Sequence, residues 1–220
     1  MSAVKLYEQL LASGIVGATG KTYFELHGIQ TLVQDHSVVG NIIQEWLADF
    51  MDKHRIDHTQ PDNTQEFPDY FVDESNGDHG LLEVKCFKGS PNFDVANFMA
   101  YCRSLTTNPH RLDAQYLIFQ YAPLGEGVEI KNVWLKRVWE ITSPSERSAV
   151  KIQWKQNQAV NIRPATWYSP RATYQPLGTR KDFVLALKKI LDTTPAGGDW
   201  RKNWIKTVSE KYTEQTGNAL

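Results

Sequence analysis

The chain has 220 residues, of which 41% are hydrophobic and 22% charged, and its formal net charge is −1. This composition is typical of a soluble globular protein, and the small net charge argues against a generic polycation. We expect one domain in the cytoplasm, because the N-terminus has no signal-peptide core and no stretch approaches transmembrane length. The charge is uneven, since residues 1–110 hold 7 Lys or Arg and 15 Asp or Glu, whereas residues 111–220 hold 17 and 10.

The first quarter of the chain predicts two helices and a hairpin. Recurring apolar residues predict an amphipathic helix over residues 1–13 and a second helix over residues 37–53. Between them, a glycine-punctuated loop precedes two short strands around the His27-Gly28 turn. Glu45 lies on the flank of the second helix's apolar stripe, where it is either a half-exposed surface acid or an acid directed at a site.

Two apolar segments contain the most informative residues of the chain. Residues 67–72 and 81–87 are separated by turn-forming residues, which predicts a β-hairpin. Because side chains alternate along a strand, Glu83 and Lys85 should point one way while Leu82, Val84 and Cys86 point into the core. Asp69 would then lie beside Glu83 and Lys85 at the edge of a sheet.

These three side chains suit a hard divalent cation beside a phosphodiester. The carboxylates of Asp69 and Glu83 could hold Mg²⁺, and Lys85 could steady an attacking water or the charge developing on phosphorus. The plain alternative is a surface ion pair between Glu83 and Lys85, which would contribute little. The uneven charge fits a metal site in the acidic half with phosphate contacts in the basic half, but also basic residues scattered over a solvated face.

The remaining elements complete a mixed α and β pattern. Asp94 can cap a helix from about residue 95 to residue 105. Strands are predicted at residues 114–121, 128–141 and 151–162. A loop of aromatic and basic residues then precedes two more helices, at residues 183–191 and from Asp199 onward. This order predicts an α/β (α+β) fold with a central mixed β-sheet flanked by helices.

Several segments occur in an order that resembles a known family. They are Gly20-Lys21-Thr22-Tyr23, the helical residues 42–46, Pro68-Asp69, Glu83-Val84-Lys85, and residues 98–103 ahead of residues 115–118. Together they resemble the PD-(D/E)xK nucleases and, more narrowly, the EcoRV-like Type II restriction endonucleases, with a tighter similarity to NgoBV/NlaIV-type enzymes, which read GGNNCC. The likeness covers roughly residues 14–122. The EcoRV-like motif has Asp where this chain has Glu83, a variation that the wider family allows.

The resemblance implies a restriction-endonuclease-like domain over residues 1–220, with a catalytic core at about residues 37–122. It implies an enzyme of a restriction-modification system that uses Mg²⁺ to cleave double-stranded DNA at a short palindrome. Asp69 and Glu83 would be the metal ligands, Lys85 would orient the attacking water, and Glu45 would be an accessory acid. A homodimer is expected, because one small subunit offers one cleavage centre.

Two groups of polar residues could contact DNA through phosphates or base edges. The group near the candidate site consists of Gln60, Asn63, Gln65 and Lys88. The group in the basic half, where DNA-reading and C-terminal helical elements are expected over residues 123–220, consists of Asn161, Arg163, Arg171, Tyr174, Gln175 and Arg180. A plain surface turn is an alternative for the loop before the site, and phosphate contact or ordinary surface charge is an alternative for each arginine.

Two other functions stay open at this point. A repair or recombination nuclease on the same fold would recognise a DNA structure instead of a sequence. A non-catalytic DNA-binding protein would keep the acidic hairpin as ordinary surface. A small-molecule enzyme is disfavoured, because the sequence contains no nucleotide-binding loop, no recognisable Ser or Cys nucleophile and no zinc-ligand spacing.

Overall fold

A computed structural model describes residues 3–63, 67–72, 80–194 and 198–220. The chain divides into two compact units. The first consists of Met1–Ser90 and Gln115–Leu135, and the second of Pro91–Ala114 and Lys136–Leu220. Each unit is therefore built from two separate stretches of the chain. Within the described ranges, no helix combines the length and apolar character needed to cross a membrane.

The helices and strands follow the predicted order, with two corrections: residues 151–162 form two antiparallel strands instead of one, and the last α-helix begins at Trp204 instead of Asp199. In chain order they are α1 (Ala3–Ala12), β1 (Thr19–Gly20), β2 (Thr22–Leu26), β3 (Ile29–Val33), α2 (Val39–Lys53), β4 (His58–Thr59), β5 (Tyr70–Val72), β6 (Leu81–Lys88), β7 (Ala96–Asn97), α3 (Phe98–Ser104), β8 (Gln115–Leu124), β9 (Gly127–Arg137), β10 (Ile152–Lys155), β11 (Gln158–Ile162), α4 (Arg180–Thr193) and α5 (Trp204–Thr216). Short 3₁₀ turns lie at His36–Val38, Pro109–Asp113, Val138–Glu140 and Asp199–Arg201.

A six-stranded mixed sheet forms the centre of the first unit, with strand order β1-β9-β8-β6-β5-β4. Strands β6 and β8 run parallel, whereas β5 pairs antiparallel with β6. Tyr70 lies opposite Leu82 and Phe71 opposite Leu81, which confirms the predicted pairing of the two motif strands. The expected position at a sheet edge is wrong, because β6 lies between β8 and β5 in the interior of the sheet.

The two helices of the first unit pack on this sheet through one apolar core. Leu10 of α1, Leu47 of α2, Leu82 of β6 and Phe119 of β8 are all fully buried in it. Each such side chain contributes about 1.5–3 kcal/mol relative to an exposed one. Because β6 directs Leu82 and Val84 into the core, Glu83 and Lys85 project from the opposite face, as the alternation predicts.

Strands β2 and β3 form a separate two-stranded sheet in the first unit. They pair antiparallel from Thr22 opposite Val33 to Leu26 opposite Ile29, which confirms the predicted hairpin. Both turn residues have positive φ, 51° for His27 and 74° for Gly28. Glycine adopts this conformation without a steric penalty, and a tight two-residue turn requires it.

The second unit combines a three-stranded sheet, ordered β10-β11-β7, with helices α3, α4 and α5. The prediction that Asp94 caps a helix starting at residue 95 is wrong. Residues 96 and 97 pair with β11, and the Asn97 side chain accepts a hydrogen bond from Ala100 N at 3.0 Å, so that the helix begins at Phe98. Trp204 of α5 is fully buried, and its indole N–H donates to Cys102 O at 2.7 Å.

Candidate functional site

Asp69 lies immediately before β5, and two other elements hold its carboxylate. Oδ2 accepts a hydrogen bond from Val84 N at 2.6 Å, and Oδ1 accepts one from Gln44 Nε2 at 2.8 Å. Val84 is the central residue of the Glu83-Val84-Lys85 motif on β6. The carboxylate of Asp69 is therefore fixed beside the backbone that carries the other two predicted residues.

Glu83 and Lys85 form an ion pair on the same face of β6, with 2.8 Å between Lys85 Nζ and Glu83 Oε1. Glu83 is only 8% exposed, and the side chain of Lys85 is 21% exposed. This pair is therefore not the exposed surface pair that the sequence left as an alternative. Burial raises the pKa of Asp69, and the positive charge of Lys85 opposes this rise. The structure thus brings Asp69, Glu83 and Lys85 together.

The pKa of Asp69 reflects opposing influences within this cluster. Burial raises its pKa above the ordinary value, while the hydrogen bond from Val84, the charge of Lys85 and the hydrogen bond from Gln44 lower it. The net direction is upward, so the protein donors do not fully compensate for the desolvation of the carboxylate. An adjacent cation would supply the missing positive charge.

The available donors suit magnesium better than a metal held by a closed set of protein ligands. Across the described part of the chain, no three His, Cys, Asp or Glu side chains form a group that could hold a metal ion. Mg²⁺ usually retains several waters and is bound through one or two carboxylates together with substrate phosphates, whereas structural zinc takes four protein ligands. Asp69 and Glu83 provide the two carboxylates of such a site, with the ammonium group of Lys85 beside them.

Two residues near Asp69 were not predicted from the sequence. Gln44 donates to its carboxylate, and the Tyr70 hydroxyl donates to the backbone oxygen of Gln44 at 2.7 Å. The sequence contains one signal for this contact, because Gly40 lies one helical turn before Gln44. A Cβ placed at Gly40 would lie 3.8 Å from Cys86 Cβ, so this flank of α2 approaches β6 closely.

The predicted accessory acid, Glu45, is the next residue along α2 and is exposed. Burial raises the pKa of Tyr70 to about 12, and the charges of Asp69 and Glu45 both add to this rise. The charge of Glu45 therefore reaches the neighbourhood of Asp69, although it is Gln44 that hydrogen-bonds with the carboxylate. Its role as an accessory acid stays a prediction.

The first group of predicted DNA contacts lies partly beside this cluster. The side chain of Gln60 forms a hydrogen bond with Tyr70, the neighbour of Asp69. Asn63 and Lys88 are exposed, with Lys88 at the end of β6. Gln65 lies outside the described residues.

Two members of the second group meet at Asp94 in the second unit. Arg163 forms an ion pair with Asp94 and also donates to Asn92 O. Asn161 Nδ2 donates to Asp94 Oδ2 at 2.8 Å and to Gln153 Oε1 at 3.1 Å. Arg163 and Asn161 therefore already have protein partners, and a DNA contact through these groups would have to share or replace them.

Arg180 lies in an internal network of the second unit. It forms an ion pair with Asp113, and its guanidinium lies 5.3 Å from the ring centroid of Trp139 and 4.6 Å from that of Tyr212. The Tyr212 hydroxyl donates to the other oxygen of Asp113 at 2.6 Å. These contacts are typical of a residue that stabilises the fold.

The remaining predicted contacts of the second unit are exposed. Arg171, Tyr174 and Gln175 lie in the segment that precedes α4. Gln175 Nε2 donates to the backbone oxygen of Ala172 at 2.9 Å, so part of its side chain stabilises its own loop. Of the six residues in this group, these three are the most accessible to a nucleic acid.

Comparisons with known proteins all indicate restriction endonucleases. Residues 1–220 match the model of a family described as NgoBV restriction endonuclease. The Type II restriction enzyme NlaIV of Neisseria lactamica is 35% identical over 225 residues, which cover 100% of this chain and 93% of that enzyme. The Type II restriction enzyme NgoBV of Neisseria gonorrhoeae is 34% identical over 158 residues, covering 70% of this chain and 90% of that enzyme. A solved structure of NlaIV restriction endonuclease has a TM-score of 0.92 and 34% identity, covering 100% of this chain and 92% of that one.

These matches confirm the family and the mixed sheet flanked by helices that the sequence predicts. Both curated relatives are Type II restriction enzymes. That function is therefore favoured over the structure-specific nuclease and the non-catalytic DNA-binding protein that the sequence alone left open.

Proposed function

This chain belongs to the NgoBV restriction endonuclease family, and we propose that Asp69, Glu83 and Lys85 form its catalytic centre. Type II restriction endonucleases of this kind are site-specific deoxyribonucleases and are generally metal-dependent. One observation carries the proposal for the centre. The Asp69 carboxylate is hydrogen-bonded to Val84 N, between a buried glutamate and a lysine that form an ion pair with each other.

We propose Mg²⁺ as the metal, held by the carboxylates of Asp69 and Glu83. When bound, the ion neutralises charge on the phosphoryl oxygens and acidifies a water. Lys85 donates a hydrogen bond to the attacking water and orients it in line with the leaving 3′ oxygen. Val84 N–H and Gln44 keep the Asp69 carboxylate in its binding orientation. Glu45 acts as an accessory acid from the exposed side of α2.

The proposed substrate is double-stranded DNA with a short palindromic sequence. Two copies of the chain, related by a two-fold axis, would each cleave one strand of such a target. Residues 1–220 act as one nuclease domain in the cytoplasm, with the catalytic residues in the first unit. The exposed polar residues Gln60, Lys88, Arg171, Tyr174 and Gln175 are candidates for phosphate and base contacts.

Incubation with long unmethylated viral DNA and Mg²⁺, followed by mapping of the fragment ends, tests this function. We expect defined fragments whose ends lie at one palindromic sequence, and GGNNCC is the first candidate from the family resemblance. Glu83→Gln and an excess of EDTA should each abolish the fragments. Intact DNA with Mg²⁺ and Mn²⁺, or cuts only at mismatches and branches, would contradict the proposal.

A further inference from the structure

The β10–β11 hairpin of the second unit is rich in side chains that can contact nucleic acid. Residues 151–163 contain five amides and three cations but no Asp or Glu. They are the amides Gln153, Gln156, Asn157, Gln158 and Asn161, and the cations Lys151, Lys155 and Arg163. Amide side chains can form paired hydrogen bonds with base edges, and cations bind phosphates. This composition suits duplex DNA better than an apolar or a cationic partner.

The base of the hairpin is fixed to the rest of its unit. Asn161 Nδ2 donates to Gln153 Oε1 across the two strands at 3.1 Å and to Asp94 Oδ2 at 2.8 Å. Arg163 forms its ion pair with the same aspartate. Ile162, between these two β11 residues, is fully buried, and β11 also pairs with β7. Protein contacts therefore occupy the polar side chains at the base and hold the hairpin in one orientation.

The tip of the hairpin differs from the base, because its residues are exposed. Lys155 pairs with Gln158, and a two-residue turn of Gln156 and Asn157 joins them. All four residues are exposed. Both turn residues have positive φ, 48° for Gln156 and 59° for Asn157, as a type I′ turn requires. Glutamine is uncommon in this conformation, and a sparsely populated backbone conformation at a residue with a hydrogen-bonding side chain indicates a role for that side chain.

The width and charge of the tip fit the major groove of duplex DNA. That groove is about 12 Å wide and admits a two-stranded β-ribbon, whose strands lie about 4.8 Å apart, whereas the minor groove is only about 6 Å wide. Each amide offers a donor and an acceptor of the kind that distinguishes base edges in the major groove. The 17 Lys or Arg against 10 Asp or Glu in residues 111–220 add a positive field that attracts DNA.

We infer that the tip of the β10–β11 hairpin enters the major groove, where Gln156, Asn157 and Gln158 read base edges of the target. Lys155 contacts a phosphate beside them. This inference rests on the proposed function, since it takes the substrate to be a short sequence in double-stranded DNA. It adds the element that selects the sequence, which the cluster of Asp69, Glu83 and Lys85 does not supply.

Cleavage by a turn variant tests the inference. Gln156→Gly combined with Asn157→Gly removes two amides but keeps residues that favour the same turn, so the hairpin should stay folded. Its kcat/KM should fall on the order of 10-fold to 100-fold on a duplex that carries the target mapped from the fragment ends. On duplexes with one base pair of that target changed, kcat/KM should fall much less, so that the variant discriminates less between sequences.

A matched control is Asn203→Gly in the same unit. Asn203 is exposed like Asn157, and its φ of 58° matches the 59° of Asn157. The control therefore makes the same chemical change in the same backbone conformation outside the hairpin. It should leave kcat/KM on every duplex unchanged.

Binding to a duplex of scrambled sequence in EDTA separates base contacts from phosphate contacts. In fluorescence anisotropy, the double glycine variant should bind this duplex within about twofold of wild type, because binding without a target depends on phosphates. Lys155→Ala should bind the scrambled and target duplexes more weakly by the same factor. It should also reduce the slope of log Kd against log salt concentration by about one.

Circular dichroism checks the fold of each variant, and Gln158→Ala replaces the double glycine variant where that variant loses secondary structure. Unchanged discrimination between target and altered duplexes would overturn the inference, provided that wild type gives defined fragments. An equal loss of affinity for the scrambled duplex would also overturn it, because the tip would then contact phosphates alone. A wild type without defined fragments would overturn the proposed function and this inference with it.

Discussion

Asp69 in the first unit and Asp94 in the second each accept hydrogen bonds from protein donors, but they differ in burial and in the charge of those donors. The Asp69 carboxylate accepts from two neutral donors, Val84 N–H and the Gln44 amide, and burial raises its pKa. The side chain of Asp94 is 50% exposed and forms a direct ion pair with Arg163. The positive charge of Lys85 only partly offsets the burial of the first carboxylate, whereas the second has a direct cationic partner. A buried carboxylate with incomplete compensation is the better candidate for binding a metal.

Replacing each aspartate in turn with asparagine should give the largest difference between the two sites, in the cleavage rate. Asp69→Asn removes a proposed metal ligand, so the cleavage rate at saturating DNA and Mg²⁺ should fall on the order of 10³-fold. Asp94→Asn should keep the rate within about tenfold, because it changes an ion pair that includes none of the proposed catalytic residues. Initial rates on supercoiled plasmid DNA measure both. Near wild-type cleavage by Asp69→Asn, or an equal loss in Asp94→Asn, would contradict the assignment.

The next effect concerns stability in the second unit. Arg180→Ala removes the ion pair with Asp113 and two ring contacts, so the free energy of unfolding should fall by about 2–3 kcal/mol. Arg171→Ala, at an exposed position, should change it by less than about 0.5 kcal/mol. Urea unfolding followed by circular dichroism measures this difference. A loss of DNA affinity without a loss of stability in Arg180→Ala would make this residue a DNA contact instead.

Gln44 and Glu45 allow a finer comparison within the first unit. Gln44→Ala removes one of two hydrogen bonds that orient Asp69, so the cleavage rate should fall about fivefold to tenfold at every Mg²⁺ concentration. Glu45→Ala should mainly raise the Mg²⁺ concentration needed for half-maximal rate, because an accessory acid acts through the metal. Rates measured across a Mg²⁺ titration distinguish the two. Identical Mg²⁺ profiles for the two variants would contradict the proposal that Gln44 positions Asp69 whereas Glu45 attracts the metal.

The smallest expected effect is on how the melting temperature of the metal-free protein depends on pH. The pKa of Asp69 is raised in the folded state above 3.8, so ionisation of Asp69 lowers stability as the pH rises through its folded pKa. Asp69→Asn should therefore melt at a higher temperature than wild type at pH 8 in EDTA. The difference should shrink as the pH falls toward 3.8. Melting curves at several pH values test this, and a variant that is less stable than wild type at pH 8 would refute the charge argument.

The proximity of Asp69, Glu83 and Lys85 could be predicted because its pattern is local. Glu83 and Lys85 are two residues apart on one strand, and the turn residues after Asp69 imply the pairing of its strand with theirs. The Gln44 contact is different, because only the small residue Gly40 and the family resemblance, which implies Glu45 as an accessory acid, place α2 near Asp69. Periodicity identifies the apolar stripe of a helix, but it does not determine which flanking polar residue meets a neighbouring element.

The local sequence pattern also could not predict ion pairs between residues that are distant in the chain. Arg163 and Asp94 are 69 residues apart, and Arg180 and Asp113 are 67 apart. Both arginines were candidates for DNA contact because their residue type suits phosphates and base edges, whereas their actual partners depend on the tertiary fold. Asp94 has the residue type of a helix cap, yet β7 intervenes and Asn97 provides the cap. A residue type that suits several roles is assigned to one of them only by packing.

We propose that Asp69 and Glu83 share one divalent cation. Calorimetric titration of the DNA-free protein with Mn²⁺ tests it most directly. Wild type and Asp94→Asn should each show one saturable site, which Asp69→Asn and Glu83→Gln should both lose. Equal binding by all four proteins, or a site that survives either substitution, would contradict the claim.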